Sequence, residues 1–287
     1  MKIALCNEMY QNWSLANQFE AFAAWGYDGA ELAPFSLDPD FVSGASPLAD
    51  ISRIDVARRR EIVALSHKTG VQVSGLHWIL AHTEGLHITT SDAATRQKTL
   101  RYLESLVKLC ADLGGTYLVF GSPKQRGVAS GQSYQEAEKN ALEVIAALLP
   151  TLDANGITLA LEALAPTETN FWVNSEQTLD FIEKLGSPEH VRLHLDCKAM
   201  HGGEYQSLHN VIRRVGATHQ CVSFHANDPN LQGPGFGLLD FQPIIAALQE
   251  IQFDGWIGIE PFDYSPGIVE LGRESIRYLK KFLPSDR

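Results

Sequence analysis

Short apolar runs alternate with longer segments of helical periodicity along the whole sequence. Each run follows a Gly, Asn, Asp or Pro signal, and a polar loop separates it from the next helical segment. The predicted strands are Ile3–Cys6, Gly29–Leu32, Val71–His77, Tyr117–Gly121, Thr158–Glu162, Val191–Asp196, Cys221–His225 and Trp256–Glu260. The predicted helices lie near residues 14–25, 53–68, 91–113, 132–154, 175–186, 205–216, 241–251 and 267–282. Eight strands that are each followed by a helix predict an α/β fold, the (β/α)8 TIM barrel.

Nothing in the sequence divides this pattern into separate units. There is no stretch rich in Pro, Gly or Ser, no charge run and no low-complexity tract, so we predict one barrel domain over residues 1–287. An open doubly wound sheet would show the same alternation of strands and helices. That fold is disfavoured because no GxGxxG follows the first strand, where a dinucleotide site would need it.

The composition is that of an acidic globular protein. The chain of 287 residues is 45% hydrophobic, which is enough for a large core. Its formal net charge of −11 disfavours a nucleic-acid partner. No apolar run resembles a signal peptide or approaches the ~18 residues of a membrane span, so we expect no membrane association and a cytoplasmic location. Four scattered cysteines without CxxC spacing fit a reducing compartment.

Polar residues end four consecutive predicted strands in the second half of the chain: Glu162, Asp196, His225 and Glu260. Active sites of such barrels lie at the C-terminal ends of the strands, so these side chains should converge. Burying them together without compensation would be costly, and a cation removes the conflict. Three carboxylates and one imidazole suit a single divalent cation with open positions for substrate. We expect Mn²⁺ first, with Mg²⁺, Co²⁺ or Zn²⁺ as alternatives.

These strand ends resemble the xylose-isomerase-like barrel superfamily, also known as sugar phosphate isomerases/epimerases. That family includes D-tagatose and D-psicose 3-epimerases, inosose isomerases and dehydratases, and hydroxypyruvate isomerase. Its metal is bound by a Glu, an Asp, a His and a Glu after strands five to eight, which match Glu162, Asp196, His225 and Glu260 in order. The turn 233–241, with the sequence GPGFGLLDF, is similar to the family's segment before helix seven.

The resemblance implies a metal-dependent isomerase or epimerase of a small carbohydrate. Removal of a proton next to a carbonyl creates a cis-enediolate, whose charge a bound metal stabilises. Glu162 and Glu260 would lie on opposite faces of the substrate, one removing the proton and the other returning it. The resemblance leaves a homodimer or a homotetramer open.

Further residues near the strand ends are candidate substrate contacts. The family's 3-epimerases have a substrate-contacting Glu that Glu168 matches, and His77 closes the third strand. Lys198 follows the sixth strand, Arg126 follows the fourth, and Glu31 ends the second. The alternatives for these residues are core packing, loop solvation or helix capping.

The sequence also departs from the ketose 3-epimerases at substrate contacts. Where they carry a His and an Arg, this chain has Ala199 and Leu231. The substrate is therefore open among a keto-sugar, a 3-keto-glycoside, an inosose and a short hydroxy-keto acid.

Three other functions compete with an epimerase. A metal-dependent lyase or dehydratase acting on an inosose or keto-glycoside would start from the same enediolate. An apurinic endonuclease of this superfamily, with three zinc ions, is disfavoured by the acidic charge and by Asp228-Pro229-Asn230 in place of Asp-x-His. A non-catalytic sugar-binding subunit would be expected to have lost a ligand, and all four are present.

Overall fold

The computed structural model describes residues 1–283, and in it eight parallel strands close into a barrel in chain order. The strands are β1 (Lys2–Cys6), β2 (Gly29–Leu32), β3 (Gln72–Leu76), β4 (Tyr117–Phe120), β5 (Thr158–Glu162), β6 (Val191–Asp196), β7 (Cys221–Ala226) and β8 (Trp256–Ile259). The register of β1 against β8 closes the barrel. The predicted TIM barrel is confirmed, and each predicted strand agrees with the structure to within one residue at either end.

Helices cover the outside of the barrel. They are α1 (Leu15–Trp25), α2 (Pro39–Val42), α3 (Val56–Thr69), α4 (Ala93–Asp112), α5 (Tyr134–Asn155), α6 (Ser175–Lys184), α7 (Cys197–Gly203), α8 (Leu208–Gly216), α9 (Gln242–Glu250) and α10 (Ile268–Leu279). The eight longer ones correspond to the predicted helices. The short helices α2 and α7 were not predicted, because segments of four and seven residues are too short for a periodic pattern to stand out. No helix within residues 1–283 is long and apolar enough to cross a membrane.

Local capping explains where the long helices begin and end. The Ser14 hydroxyl accepts a hydrogen bond from the Asn17 amide at the start of α1, and Ser133 caps α5 in the same way. Gly26 follows α1 with a φ of 87°, a left-handed conformation that a residue with a Cβ seldom adopts. These signals are local in sequence, which is why the helix limits were predictable.

The barrel interior is polar directly beneath its C-terminal rim. Because side chains alternate along a strand, His194 on β6 and Ser223 on β7 lie one inward position below Asp196 and His225. The His194 Nδ1 and Ser223 Oγ atoms are 2.7 Å apart, and both residues are fully buried. The apolar core lies between the strands and the helices. The C-terminal ends of the strands therefore lie directly above a layer of hydrogen-bonded side chains.

Candidate active site

The structure brings together the last residues of β5 and β6, the penultimate residue of β7 and the residue that follows β8. His225 Nδ1 lies 2.9 Å from Glu260 Oε2 and 4.0 Å from Asp196 Oδ2. A Glu162 carboxylate oxygen lies within 4.8 Å of a His225 nitrogen. Each of the four residues is at most 7% exposed. The convergence expected from the strand ends is thus present in the fold, and their role as metal ligands stays a prediction.

Three buried carboxylates around one imidazole leave negative charge uncompensated. Burial, and next the charges of Asp196 and Glu260, raise the pKa of Glu162 well above its ordinary value. Burial and Glu260 raise the pKa of Asp196 to about 6. Burial also acts to raise the pKa of Glu260, but the charge and hydrogen bond of His225 outweigh it, so this pKa lies well below its ordinary value. The donor set of three carboxylates and one imidazole fits a hard divalent cation, which would neutralise this charge.

Gly121, the residue after β4, makes room for the Glu162 side chain. A Cβ at this position would lie 1.8 Å from Glu162 Oε2, so the carboxylate would have to move away. Within residues 1–283 the Glu162 carboxylate has no hydrogen-bond partner. Close packing against Gly121 therefore limits where it can point.

Glu31 orients His225 from below. Glu31 Oε1 lies 2.9 Å from His225 Nε2, and the Tyr117 hydroxyl donates to Glu31 Oε2 at 2.5 Å. Burial opposes ionisation of Glu31, but His225 lowers its pKa. Glu31 is fully buried and does not line the cavity at the barrel mouth, contrary to the substrate contact expected from the sequence. The reason is its inward position one step below the rim, where His225 covers it.

His77 and Trp78 hold Glu260 from the side of β3. Trp78 Nε1 donates to Glu260 Oε1 at 2.7 Å, and His77 Nδ1 lies 3.2 Å from the same oxygen. The other ring nitrogen of His77 is 3.3 Å from Glu8 Oε2 but lacks hydrogen-bond geometry. Glu8 is buried, and neither of its carboxylate oxygens has a hydrogen-bond partner within residues 1–283.

The sequence did not point to Glu8 or to Asn227, which holds Asp196. Asn227 Nδ2 donates to Asp196 Oδ2 at 2.5 Å, while the Ala199 amide donates to Asp196 Oδ1 at 2.7 Å. Glu8 and Asn227 each lie two positions after a strand residue whose side chain faces the barrel interior. Extending the period-two pattern past each strand end would have found them.

Arg126 is also away from the cavity, contrary to the substrate contact expected for it. It is fully buried, with Nη1 donating to the main-chain oxygens of Glu162 at 2.5 Å and Phe120 at 3.4 Å. Its guanidinium lies 5.3 Å from the centre of the Trp172 ring. After the short 3₁₀ helix Pro123–Gln125 the chain turns back, and Arg126 bonds to carbonyl groups near the ends of two strands. It ties β4 to β5 behind Glu162.

The carboxylates of Glu162, Asp196 and Glu260 face a cavity of about 530 Å³. Its lining includes His77, Glu168 and Lys198, three of the five residues expected to contact substrate. Lys198 Nζ lies 2.7 Å from Glu168 Oε1 and 4.5 Å from the centre of the Phe262 ring. Trp78 stands beside Phe262, with ring centres 6.3 Å apart. The site thus combines charged groups with aromatic faces.

This arrangement of strand-end acids and histidine on a closed barrel agrees with a family match over most of the chain. A family model described as xylose isomerase-like TIM barrel matches residues 19–282. The chain belongs to the xylose isomerase-like TIM barrel family. The resemblance drawn from the sequence is therefore confirmed at the level of the family.

Sugar epimerases are among the curated proteins to which this xylose isomerase-like chain is similar. A probable ketose 3-epimerase from Synechocystis sp. is 24% identical, over 86% of this chain and 78% of that protein. An L-ribulose 3-epimerase from Methylomonas sp. is 25% identical, over 88% of this chain and 80% of that protein. Among solved structures, 3-keto-D-glucoside 4-epimerase YcjR from E. coli superposes with a TM-score of 0.81 at 18% identity, covering 98% of this chain and 99% of that one. At that identity the superposition shows the shared fold.

The family-like turn at 233–241 wraps around Asp228. The Leu239 amide donates to Asp228 Oδ2 at 2.8 Å, and the Asn230 amide donates to Oδ1 at 3.1 Å. A Cβ at Gly237 would lie 2.0 Å from Asp228 Oδ1, so glycine is needed there. Asp228 does not line the cavity, and it stabilises a loop of this xylose isomerase-like barrel.

Proposed function

We propose that this protein is a divalent-metal-dependent epimerase that acts on a keto-sugar through an enediolate. The observation that carries the proposal is that Asp196 and Glu260 meet at His225, that Glu162 also lies close to His225, and that the three carboxylates line one cavity. The names of the family's curated relatives support the reaction class. Mn²⁺ is the first metal to test. The cytoplasmic location and a homodimer or homotetramer stay predictions.

The chain's own carboxylates would move the proton. Glu260 is held by Trp78 and His77, so one of its oxygens keeps a defined position beside the cavity. Glu162 comes from β5, and strands β6 and β7 separate it from β8. We assign one of these two groups to take the proton from the substrate carbon and the other to return it. A divalent cation, when bound, would supply electrostatic stabilisation for the negative charge that develops on the substrate.

Other cavity residues would orient the substrate. Lys198 and Glu168 form an ion pair that offers both a donor and an acceptor to hydroxyl groups. Phe262 and Trp78 present aromatic faces against which the apolar side of a sugar can stack. Ala199 and Leu231 stand outside this set: Leu231 does not line the cavity, and Ala199 is buried with its amide bonded to Asp196. Recognition therefore rests on the ion pair and the aromatic rings.

Proton exchange with solvent tests the reaction directly. The Mn²⁺-loaded protein is incubated in D₂O with ketoses, keto-glycosides and inososes, and NMR follows deuterium entering carbon. We expect exchange at one carbon, abolished by EDTA and restored by Mn²⁺, together with an epimeric product. An unsaturated or cleaved product would instead assign a lyase. Exchange that persists unchanged in EDTA would contradict the proposed metal dependence.

A further inference from the structure

The cavity is larger than one sugar and extends to one side of the barrel. Its volume of about 530 Å³ compares with about 180 Å³ for a hexose, taken as about six times the volume of a water molecule. The proposed ligands lie at the C-terminal ends of β5 to β8. The loops after β2, β3 and β4 line the far part of the cavity. Their lining residues are Pro47, Leu48, Ala81, His82, Thr83 and Lys124. We call these six residues the outer subsite.

Barrel geometry makes this cavity elongated. In a closed barrel of eight strands, β2 stands opposite β6, so a space lined by Asp196 at the end of β6 and by Pro47 and Leu48 in the loop after β2 crosses the mouth. A ketose with its reacting carbons beside Glu162 and Glu260 would direct its other end towards the outer subsite. The space beyond a single ring is then available to a group attached at that end.

The outer subsite is built by loops that bond to one another. The Ala49 amide donates to the His82 carbonyl at 2.9 Å, joining the loop after β2 to the loop after β3. Gln125 Nε2 donates to the Leu80 carbonyl at 3.1 Å, joining the loop after β4 to the same segment. Such cross-links indicate a preformed wall, which is what a binding pocket requires.

The loop after β3 contains two of the seven non-glycine residues with positive φ within residues 1–283. Trp78 and His82 have φ values of 50° and 58°, in the left-handed region that bulky residues seldom adopt. The His82 ring is held between Phe35 and Phe41, with ring centres 4.6 Å and 4.7 Å away. Strain of this kind persists where the surroundings impose it, and it clusters at ligand sites. Both strained residues line the cavity.

We propose that the outer subsite binds an uncharged second ring, a glycosyl or aryl group, linked to the keto-sugar that reacts beside Glu162 and Glu260. This inference rests on the proposed function and names its substrate class as a substituted keto-sugar. Pro47, Leu48 and Ala81 supply apolar contact. Lys124 is accompanied by Glu84 on the cavity lining, so this end carries both signs of charge and does not select a phosphate.

Calorimetric binding to the Mn²⁺-loaded protein tests the subsite without requiring turnover. The probes are D-fructose and isomaltulose, which is fructose with a glucosyl group on O6, the end far from the reacting carbons. We expect isomaltulose to bind at least about tenfold more tightly than D-fructose. Equal or weaker binding of isomaltulose, or binding of neither sugar, would overturn the proposal. A protein that binds isomaltulose but shows no deuterium exchange with any sugar would instead contradict the proposed function.

Variants with larger side chains in the outer subsite provide a second test of the proposal. Leu48→Trp should lower the ratio of the two affinities about tenfold, since the new ring occupies the space of the second sugar. Leu238→Trp is the matched control, because Leu238 is fully exposed and away from the cavity, and the ratio should be unchanged. Thr83→Phe repeats the test from another loop if Leu48→Trp fails to fold. An unchanged ratio in a folded filling variant would contradict the assignment.

Discussion

Glu31 Oε1 lies 2.9 Å from Nε2 of His225, which places a buried carboxylate directly beneath the imidazole. With Nε2 donating to Glu31, Nδ1 is the ring nitrogen that faces Asp196 and Glu260, and it would bind a cation there in place of its proton. We expect Glu31→Ala to weaken Mn²⁺ binding about 10- to 100-fold, because the imidazole loses the group that orients it. Glu31→Gln, which keeps an acceptor without charge, should give an intermediate loss.

Metal titration by calorimetry measures these affinities. Tyr117→Phe is the control for disturbance of the same layer, since Tyr117 touches the opposite oxygen of Glu31 and not His225. Its effect should be smaller than that of Glu31→Ala. An unchanged Mn²⁺ affinity in Glu31→Ala would show that His225 needs no support from Glu31.

Glu162→Gln and Glu260→Gln should each lower kcat about 10²- to 10⁴-fold, because each removes a group that transfers the proton. Metal content is measured alongside, so that a lost proton carrier is distinguished from a lost ligand. Glu183→Gln, at an exposed position on α6, should leave kcat unchanged. Full activity of Glu260→Gln with metal bound would exclude the two-base mechanism.

Gly121→Ala should lower kcat/KM more than the same substitution at a nearby glycine. The added methyl group would lie 1.8 Å from Glu162 Oε2 and must displace that carboxylate. Gly127→Ala, six residues on, is the matched control, because its Cβ would meet nothing closer than 3.5 Å. We expect at least about a tenfold loss of kcat/KM in Gly121→Ala alone. Equal activities of the two variants would mean that the position of Glu162 is not critical.

Saturating Mn²⁺ should stabilise the protein against thermal unfolding, since a cation relieves the repulsion among Glu162, Asp196 and Glu260. At a metal concentration of about 100 times Kd the gain in unfolding free energy is about 2.7 kcal/mol. Thermal scans with EDTA and with Mn²⁺ measure it. Asp196→Asn should show a much smaller rise in Tm with metal. A Tm that does not respond to Mn²⁺ in the wild type would argue against the predicted ligand set.

Glu8 should make the stability of the metal-free protein depend on pH. Burial, opposed by His77, raises the pKa of Glu8 from its ordinary value of 4.5 to about 7. A carboxyl whose pKa is raised by folding favours the folded state below pH 4.5, and this contribution is lost as the pH rises towards 7. Glu8→Gln should therefore gain stability relative to the wild type over that interval, by at most about 3 kcal/mol.

Urea unfolding in EDTA at pH 5 and pH 8 measures this difference. Glu189→Gln, an exposed position, should follow the wild type at both pH values. If the unfolding free energy of Glu8→Gln differs from that of the wild type by the same amount at both pH values, Glu8 does not titrate between them.

Much of the fold and part of the site follow from local patterns. Gly26 and Ser133 mark helix limits through backbone conformation and capping, which depend on near neighbours in the chain. The ends of parallel strands all lie at one rim of a barrel. For that reason Glu162 and Glu260 could be placed together before any contact was known. The alternation of strands with helices and the positions of the strand ends depend on consecutive residues, so they can be predicted from the sequence.

The partners of those side chains depend on tertiary structure. Glu31 and His225 are 194 positions apart, and only barrel closure and register bring them into contact. Strand stagger decides whether a side chain near a strand end, such as Glu31, faces the cavity or the layer below. The path of the loop after β4 decides that Arg126 points behind the cavity. The outer subsite likewise exists only because three loops pack across the mouth. These contacts depend on packing between distant parts of the chain, and short-range sequence patterns do not reveal that packing.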